Sequence, residues 1–218
     1  MSSEKTDKEA KARKRRNIRA RADAIKDYRC RKLIAVLENP SDMRNIGTVI
    51  RNVDALGVEK TYIVDPERRL PEDWQDMRTQ KTLSKSSVSA IKWSFVKRFD
   101  TTADCLDHLR ENLFVSVVTS PHIKGHNNVV LHEADYTGYK RLAVWFGNEA
   151  FGISDEAVAN ADACVSIPMF GMIESLNLGT TSGIVLYEIT KQRRAWQRKY
   201  RRTKKQMKRE IAALQEHD

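Results

Sequence analysis

Cysteine is scarce in this 218-residue chain: Cys30, Cys105 and Cys164 are the three present, far apart and odd in number. That spacing excludes a disulfide framework and a cysteine zinc site, and points to a reducing compartment, the cytoplasm. The five histidines, His108, His122, His126, His132 and His217, form no HExxH pattern, so no metal is expected. Long apolar runs are missing too. None reaches the roughly 18 residues of a membrane-spanning helix, and the charged N-terminus lacks the apolar stretch of a secretory signal. No GxGxxG opens a predicted helix and no GK[ST] follows a glycine turn, which excludes the nicotinamide and P-loop fingerprints. Internal repeats are absent.

What is present is a core-forming middle between two basic ends. Hydrophobic residues make up 40% of the chain, enough for one domain of ordinary size with appendages. The net charge is +10, unevenly spread: residues 1–32 hold 13 Lys/Arg against 5 Asp/Glu, residues 191–218 hold 11 against 3, and residues 33–190 hold 15 against 21. All the excess positive charge therefore sits in the ends. A polyanion gripped there is the simplest physical reading, with nucleic acid ahead of an anionic membrane. The plain alternative is a pair of solvated tails.

Residues 1–32 read as a basic extension of good helix formers, its first ten residues disordered, with a thin stripe of Ile18, Ala22 and Ile25. Residues 33–37 are a continuous apolar run of strand length. A helix starts near Asn45, places Ile46, Val49, Ile50, Val53 and Leu56 on one face, and stops at Gly57. Residues 61–64 form the next strand, closing a β-loop-α-β unit whose strands are parallel. Residues 65–100 read as a long loop with one short helix at 83–89. Then come a helix at 102–112, a strand at 113–118, loop to 139, a strand at 142–146, a helix capped by Ser154 and a strand at 164–167. From about Leu176 a helix runs into the basic tail, its apolar stripe made by Ile184, Ile189, Trp196, Tyr200, Met207, Ile211 and Leu214. The alternation predicts an α/β domain with a mostly parallel sheet over residues 33–190, followed by a basic C-terminal helix at 191–218.

Three clusters stand at the C-terminal ends of predicted strands or at the start of the next helix, where open α/β sheets bind ligands. In the first, Asn45 fits a helix N-cap, with Arg51 and Asn52 one to two turns on. Alone, it is consistent with a solvated arginine on an amphipathic helix. The second runs from Phe146 to Ser154. Gly147 and Gly152 bracket Asn148 and Glu149 in a tight turn where a ligand could approach the backbone, and Glu149 suits a cation or ribose hydroxyls rather than phosphate. The third is the Met/Gly loop from Ile167 to Asn177. It is either a buried connection or the apolar wall of a pocket, and Ser175 could simply cap the helix that follows.

Together the three clusters resemble the signature motifs of the SpoU/TrmH family of RNA ribose 2′-O-methyltransferases, which have the SPOUT fold. Asn45 with Arg51 and Asn52 is similar to the first motif. Gly147-Asn148-Glu149 through Ser154 is similar to the second, and Ile167-Pro168-Met169 with Gly171 and Ser175-Leu176-Asn177 to the third. The resemblance covers about residues 33–190.

It implies a sheet whose C-terminal part is threaded into a trefoil knot, binding S-adenosylmethionine (AdoMet) in the knot loops, and a homodimer. Thr119, Gly147, Ile167, Met169 and Leu176 are implied to line the cofactor pocket. Arg51 is implied to help the ribose hydroxyl lose its proton, as a base or by holding phosphate and the developing alkoxide. A guanidinium stays charged at working pH and binds phosphate in a planar fork, which favours the second role. Asn45, Glu149, Ser175 and Asn177 complete the implied catalytic set. The basic ends, with Asp135-Tyr136-Thr137, look like the branch that methylates guanosine 18 of the tRNA D-loop. One departure is Leu178-Gly179-Thr180-Thr181-Ser182-Gly183, where two early-helix glycines suggest close packing at a subunit contact. The alternatives are a methyltransferase of ribosomal RNA or another tRNA position, and a non-catalytic RNA-binding protein of the same fold. The last predicts erosion at Arg51, Asn45, Glu149 or Asn177, and all four are intact.

Overall fold

The computed structural model describes residue 17 and residues 20–215, with side chains as far as Tyr200. The expectations placed on residues 1–16, on Ile18 and on the Met207, Ile211 and Leu214 side chains lie outside the described residues. The elements are β1 (Cys30–Glu38), α1 (Met43–Ala55), β2 (Val58–Val64), α2 (Trp74–Thr79), α3 (Lys81–Ser86), a 3-10 turn (Ala90–Lys92) and β3 (Phe95–Phe99). They continue with α4 (Thr102–Glu111), β4 (Val115–Thr119), β5 (Asn128–Val130), β6 (Leu142–Phe146), α5 (Asp155–Ala159), β7 (Ala163–Ser166) and α6 (Leu178–Gln215). The strands form one sheet in the order β3-β2-β1-β6-β4-β7-β5, and every neighbouring pair is parallel.

The central strands explain the unbroken apolar runs. Both faces of β1 and β6 are covered, so consecutive residues are buried rather than every second one. On one face Leu33, Ala35, Leu37, Val144 and Phe146 meet the α1 stripe of Ile46, Val49, Ile50 and Val53, together with Val185, Leu186 and Ile189 of α6. On the other, Ile34, Val36, Ala143 and Trp145 meet Cys105, Leu106 and Leu109 of α4 and Ala157 of α5. All three cysteines are buried free thiols within these layers.

Several sequence expectations shift. The first helix begins at Met43, not Asn45, because Asp42 is the cap: its carboxylate accepts from the Arg44 N–H at 2.8 Å. Asn45 is thereby freed from capping. Residues 65–100 are far more ordered than a loop, holding α2, α3, the 3-10 turn and β3. Strands β3 and β5 were missed because they lie at the two edges of the sheet, are only partly buried, and so carry the weakest apolar signal. Ser154 caps α5 as expected, accepting from the Ala157 N–H, with Asp155 and Glu156 in the first turn.

The C-terminal helix also differs from its predicted stripe. Ile184 faces outward, and the buried face is instead Ser182, Val185, Leu186, Ile189, Thr190 and Arg193. The early glycines serve a contact within the chain. A Cβ on Gly179 would lie 2.6 Å from the Thr48 methyl carbon, so glycine lets α6 close against α1. Asn52 then donates to the Gly179 carbonyl at 2.8 Å and to the Ser182 hydroxyl at 3.0 Å. Two of the basic residues of the tail are structural. Arg193 is buried and donates to the Tyr136 and Tyr139 carbonyls, and Arg194 donates to the Leu56 carbonyl at the end of α1.

Candidate active site

The loops that leave β4, β6 and β7 at their C-terminal ends converge with the start of α6 around a cleft of about 290 Å³. The β4 loop contributes Thr119 to His122 and Lys124, the β6 turn Gly147 to Ile153, the β7 loop Ile167, Met169 and Glu174 to Leu176, and α6 Leu178, Thr181 and Val185. All five predicted cofactor residues are among them: Thr119, Gly147, Ile167, Met169 and Leu176. The Thr119 hydroxyl is committed to the fold, donating to the Trp145 carbonyl at 2.8 Å.

The β6 turn is built around its glycines. Asn148 and Gly152 exchange both backbone hydrogen bonds at 2.9 Å, folding the turn back on itself. Gly152 has φ +71°, which favours glycine. A Cβ on Gly147 would lie 2.2 Å from the Gly152 carbonyl carbon and the Ile153 nitrogen, so the turn can close only with glycine at this position. The Asn148 side chain tethers the turn to the β1 loop, donating to the Asn39 carbonyl at 2.6 Å.

Glu149 ties together the three predicted clusters. One carboxylate oxygen accepts from the Ser41 N–H and hydroxyl, each at 2.8 Å, and the other from the Asn45 amide at 2.8 Å. The Asn45 carbonyl oxygen in turn accepts from the Asn177 amide at 3.0 Å, and the Asn177 oxygen accepts from the Gly179 N–H at 2.8 Å. Asn177, not Ser175, caps α6. Glu149, Asn45 and Asn177 thus form one relay across residues far apart in sequence.

Partial burial resists ionisation of Glu149, but hydrogen bonds from the Ser41 backbone, the Asn45 amide and the Ser41 hydroxyl outweigh it and hold its pKa below the usual value. A carboxylate with a lowered folded-state pKa stabilises fully above its unfolded pKa, and that contribution is lost as pH falls through the folded value. Glu149→Gln is therefore expected to lower the thermal midpoint above about pH 5, with the gap to wild type closing below about pH 4. A gap that stays constant down to pH 3 would show that ionisation of Glu149 does not matter.

The other catalytic candidates are placed differently. Ser175 lines the cleft, exposed. Arg51 is exposed on α1 outside the lining, and among the described residues it makes no hydrogen bond or ion pair. Two contributors were missed in the sequence. Glu38, buried at the end of β1, accepts from Thr102, from the Ser154 hydroxyl and from the Ser154 N–H, fixing the far side of the β6 turn. Lys124 donates to the Ile153 carbonyl at 3.1 Å, bridging the β4 and β6 loops. An acidic residue directly after an apolar strand was the available signal for Glu38.

Residues 32–187 match the SpoU rRNA methylase family. The chain belongs to that family. It is an AdoMet-dependent RNA ribose 2′-O-methyltransferase. It is 30% identical over 175 residues to the tRNA (guanosine(18)-2'-O)-methyltransferase of Thermus thermophilus, covering 80% of this chain and 82% of that one. The Escherichia coli enzyme of the same name is 32% identical over 161 residues, covering 74% of this chain and 64% of its own length. Among solved structures, the Aquifex aeolicus TrmH/SpoU tRNA modifying enzyme aligns with a TM-score of 0.65 at 29% identity, covering 80% of this chain and 83% of that one. The methyltransferase AviRb from Streptomyces viridochromogenes, in complex with AdoMet, aligns at 0.61 and 26% identity, over 73% of this chain and 57% of that one. The parallel α/β sheet with flanking helices is thus the family's architecture.

Proposed function

We propose that this SpoU-family enzyme methylates the 2′-hydroxyl of guanosine 18 in the D-loop of tRNA. The observation that carries the reading is the reach of the similarity: the Thermus thermophilus guanosine-18 enzyme matches over four-fifths of this chain and of its own length. The cleft fits AdoMet. Gly147 lines it where the β6 turn folds back, and Ile167, Met169 and Leu176 supply apolar wall beside it. With Thr119 these are the residues that would hold the cofactor, whose chemistry is an activated methyl group. What remains for the protein is positioning and the fate of the hydroxyl proton.

Arg51 takes that role. An exposed guanidinium with no partner among the described residues is free to meet an RNA phosphate and stabilise the developing alkoxide. The Glu149–Asn45–Asn177 relay holds α1, the β6 turn and the start of α6 in one geometry, and Ser175 faces the ribose. The enzyme acts as a homodimer with its β7 loop threaded into a knot. That loop leaves Phe170 and Met172 almost bare and Ile173 exposed, and α6 exposes Ile184 and Tyr187; apolar groups of this size call for a covering surface. The site works in the cytoplasm, where tRNA is available.

The body of the enzyme is residues 33–190, and the two basic ends grip RNA. On α6, Trp196 and Tyr200 are exposed and stacked, with ring centroids 5.4 Å apart, beside Arg198. Removing residues 1–28, which stops short of β1, or 196–218 is expected to weaken RNA binding and flatten its salt dependence, sparing AdoMet affinity, in filter-binding titrations. Unchanged RNA affinity would mean that the ends are only solvated. The deciding experiment is methylation of unmodified tRNA and rRNA with labelled AdoMet, followed by mapping of the modified nucleotide. Label at a nucleotide other than guanosine 18 would overturn the substrate assignment.

A further inference from the structure

The middle of the chain is acidic overall, yet residues 77–99 contain six Lys/Arg and no Asp/Glu. Two of the six are engaged locally: Lys97 lies over the Phe99 ring, and Arg98 pairs with Asp100. The other four, Arg78, Lys81, Lys85 and Lys92, line one open groove formed by α2, α3 and the 3-10 turn. Among the described residues none of the four pairs with a carboxylate, and the three lysines are exposed. The Arg78 guanidinium lies 3.3 Å from the Trp74 ring centre, and its buried Nε has no hydrogen-bond partner.

The groove is shaped by unusual backbone. After α3 the N–H of Val88 bonds the Lys85 carbonyl and the N–H of Ser89 bonds the Ser84 carbonyl, a helix ending that normally uses glycine. Here Val88 has φ +50° and Ser89 φ +65°. A β-branched residue in that region is strained, and this one is 64% exposed at the groove. Trp93 is 54% exposed in the next turn. Cations interleaved with exposed apolar and aromatic groups, with no acid among them, match an RNA backbone and its bases better than a protein surface.

The groove also adjoins the reactive helix. A Cβ on Gly47 would collide with Ser86, the last residue of α3, so α1 and α3 are in direct contact there. Arg51 lies one turn beyond Gly47 on the same side of α1. A strand whose phosphate reaches Arg51 is therefore led toward the groove.

We propose that this groove is a second RNA-docking surface, in which Arg78, Lys81, Lys85 and Lys92 hold the substrate's phosphates on the Arg51 side of the site. It rests on the RNA 2′-O-methyltransferase reading above and adds a contact independent of the basic ends. The test uses the full chain carrying Lys81→Gln, Lys85→Gln and Lys92→Gln together, with an unmodified tRNA transcript and an rRNA transcript as probes. The expected result is a KM for RNA about tenfold or more higher near 0.15 M salt, with the slope of log affinity against log salt reduced by about 2 to 3. The kcat at saturating RNA and the AdoMet affinity stay at wild-type values. Lys→Arg at the same three positions should restore binding, which separates lost charge from a disturbed fold. A Gln variant with unchanged KM and salt slope overturns the groove while leaving the enzyme reading intact. Wild-type protein that binds and methylates neither RNA overturns the enzyme reading itself. Unchanged RNA affinity with lost binding to anionic phospholipid vesicles overturns the proposal in favour of a membrane surface.

Discussion

Arg51→Ala is expected to lower kcat by about 10²–10³-fold, the scale on which loss of one charge-stabilising donor acts, while AdoMet affinity stays within about twofold. The split follows from position. Arg51 is exposed on α1, makes no bond to the described protein, and does not line the cleft. Its removal leaves no unpaired group behind, so the cost in stability should be within about 0.5 kcal/mol. Single-turnover methylation of a tRNA transcript, with calorimetric titration of AdoMet alongside, reads the two quantities separately. Arg51→Lys should recover little, because an ammonium retains the charge but loses the planar fork that matches phosphate. A variant that loses AdoMet affinity in proportion to turnover would sink the catalytic assignment.

Gly147→Ala should do the reverse, damaging the cofactor site first. The added carbon would sit 2.2 Å from the Gly152 carbonyl carbon and the Ile153 nitrogen, and 2.4 Å from the Gly152 oxygen. These are backbone atoms, so no side-chain rotation relieves the clash, and the paired Asn148–Gly152 turn must open. Overpacking of this kind costs about 1–3 kcal/mol, and AdoMet affinity is expected to fall by about two orders of magnitude as the turn moves. Gly171→Ala is the matched control, since a Cβ there meets nothing within 4 Å. Wild-type AdoMet affinity in the Gly147 variant would show that the β6 turn does not contact the cofactor.

The ordering of cause and effect differs between these two residues, and the sequence showed it unequally. Gly147 could be read as a close-approach position from its place in a strand-to-helix turn, because that inference needs only local chain geometry. Arg51 alone read equally well as a solvated arginine, and its resemblance to a family motif carried its role. What no local pattern carried was Asn45. It looked like a helix cap, and it became a link between Glu149 and Asn177 only because Asp42, three residues earlier, took the capping position.

The sequence by itself determined the parallel α/β plan, the partition of charge into basic ends and an acidic middle, and the three residue clusters at strand ends. Those features rest on short-range regularities: unbroken apolar runs for strands covered on both faces, a 3.6-residue stripe for α1, glycine where the chain must turn sharply. Tertiary structure decided the rest. It set the edge strands β3 and β5, whose partly buried residues give little pattern, and the structural use of Arg193 and Arg194 within an otherwise basic tail. It also decided the close α1–α6 approach at Gly179 and the carboxylate–amide relay across the site. A hydrogen bond between residues more than a hundred positions apart depends on angles and distances set by how helices pack on the sheet, and local sequence does not encode them.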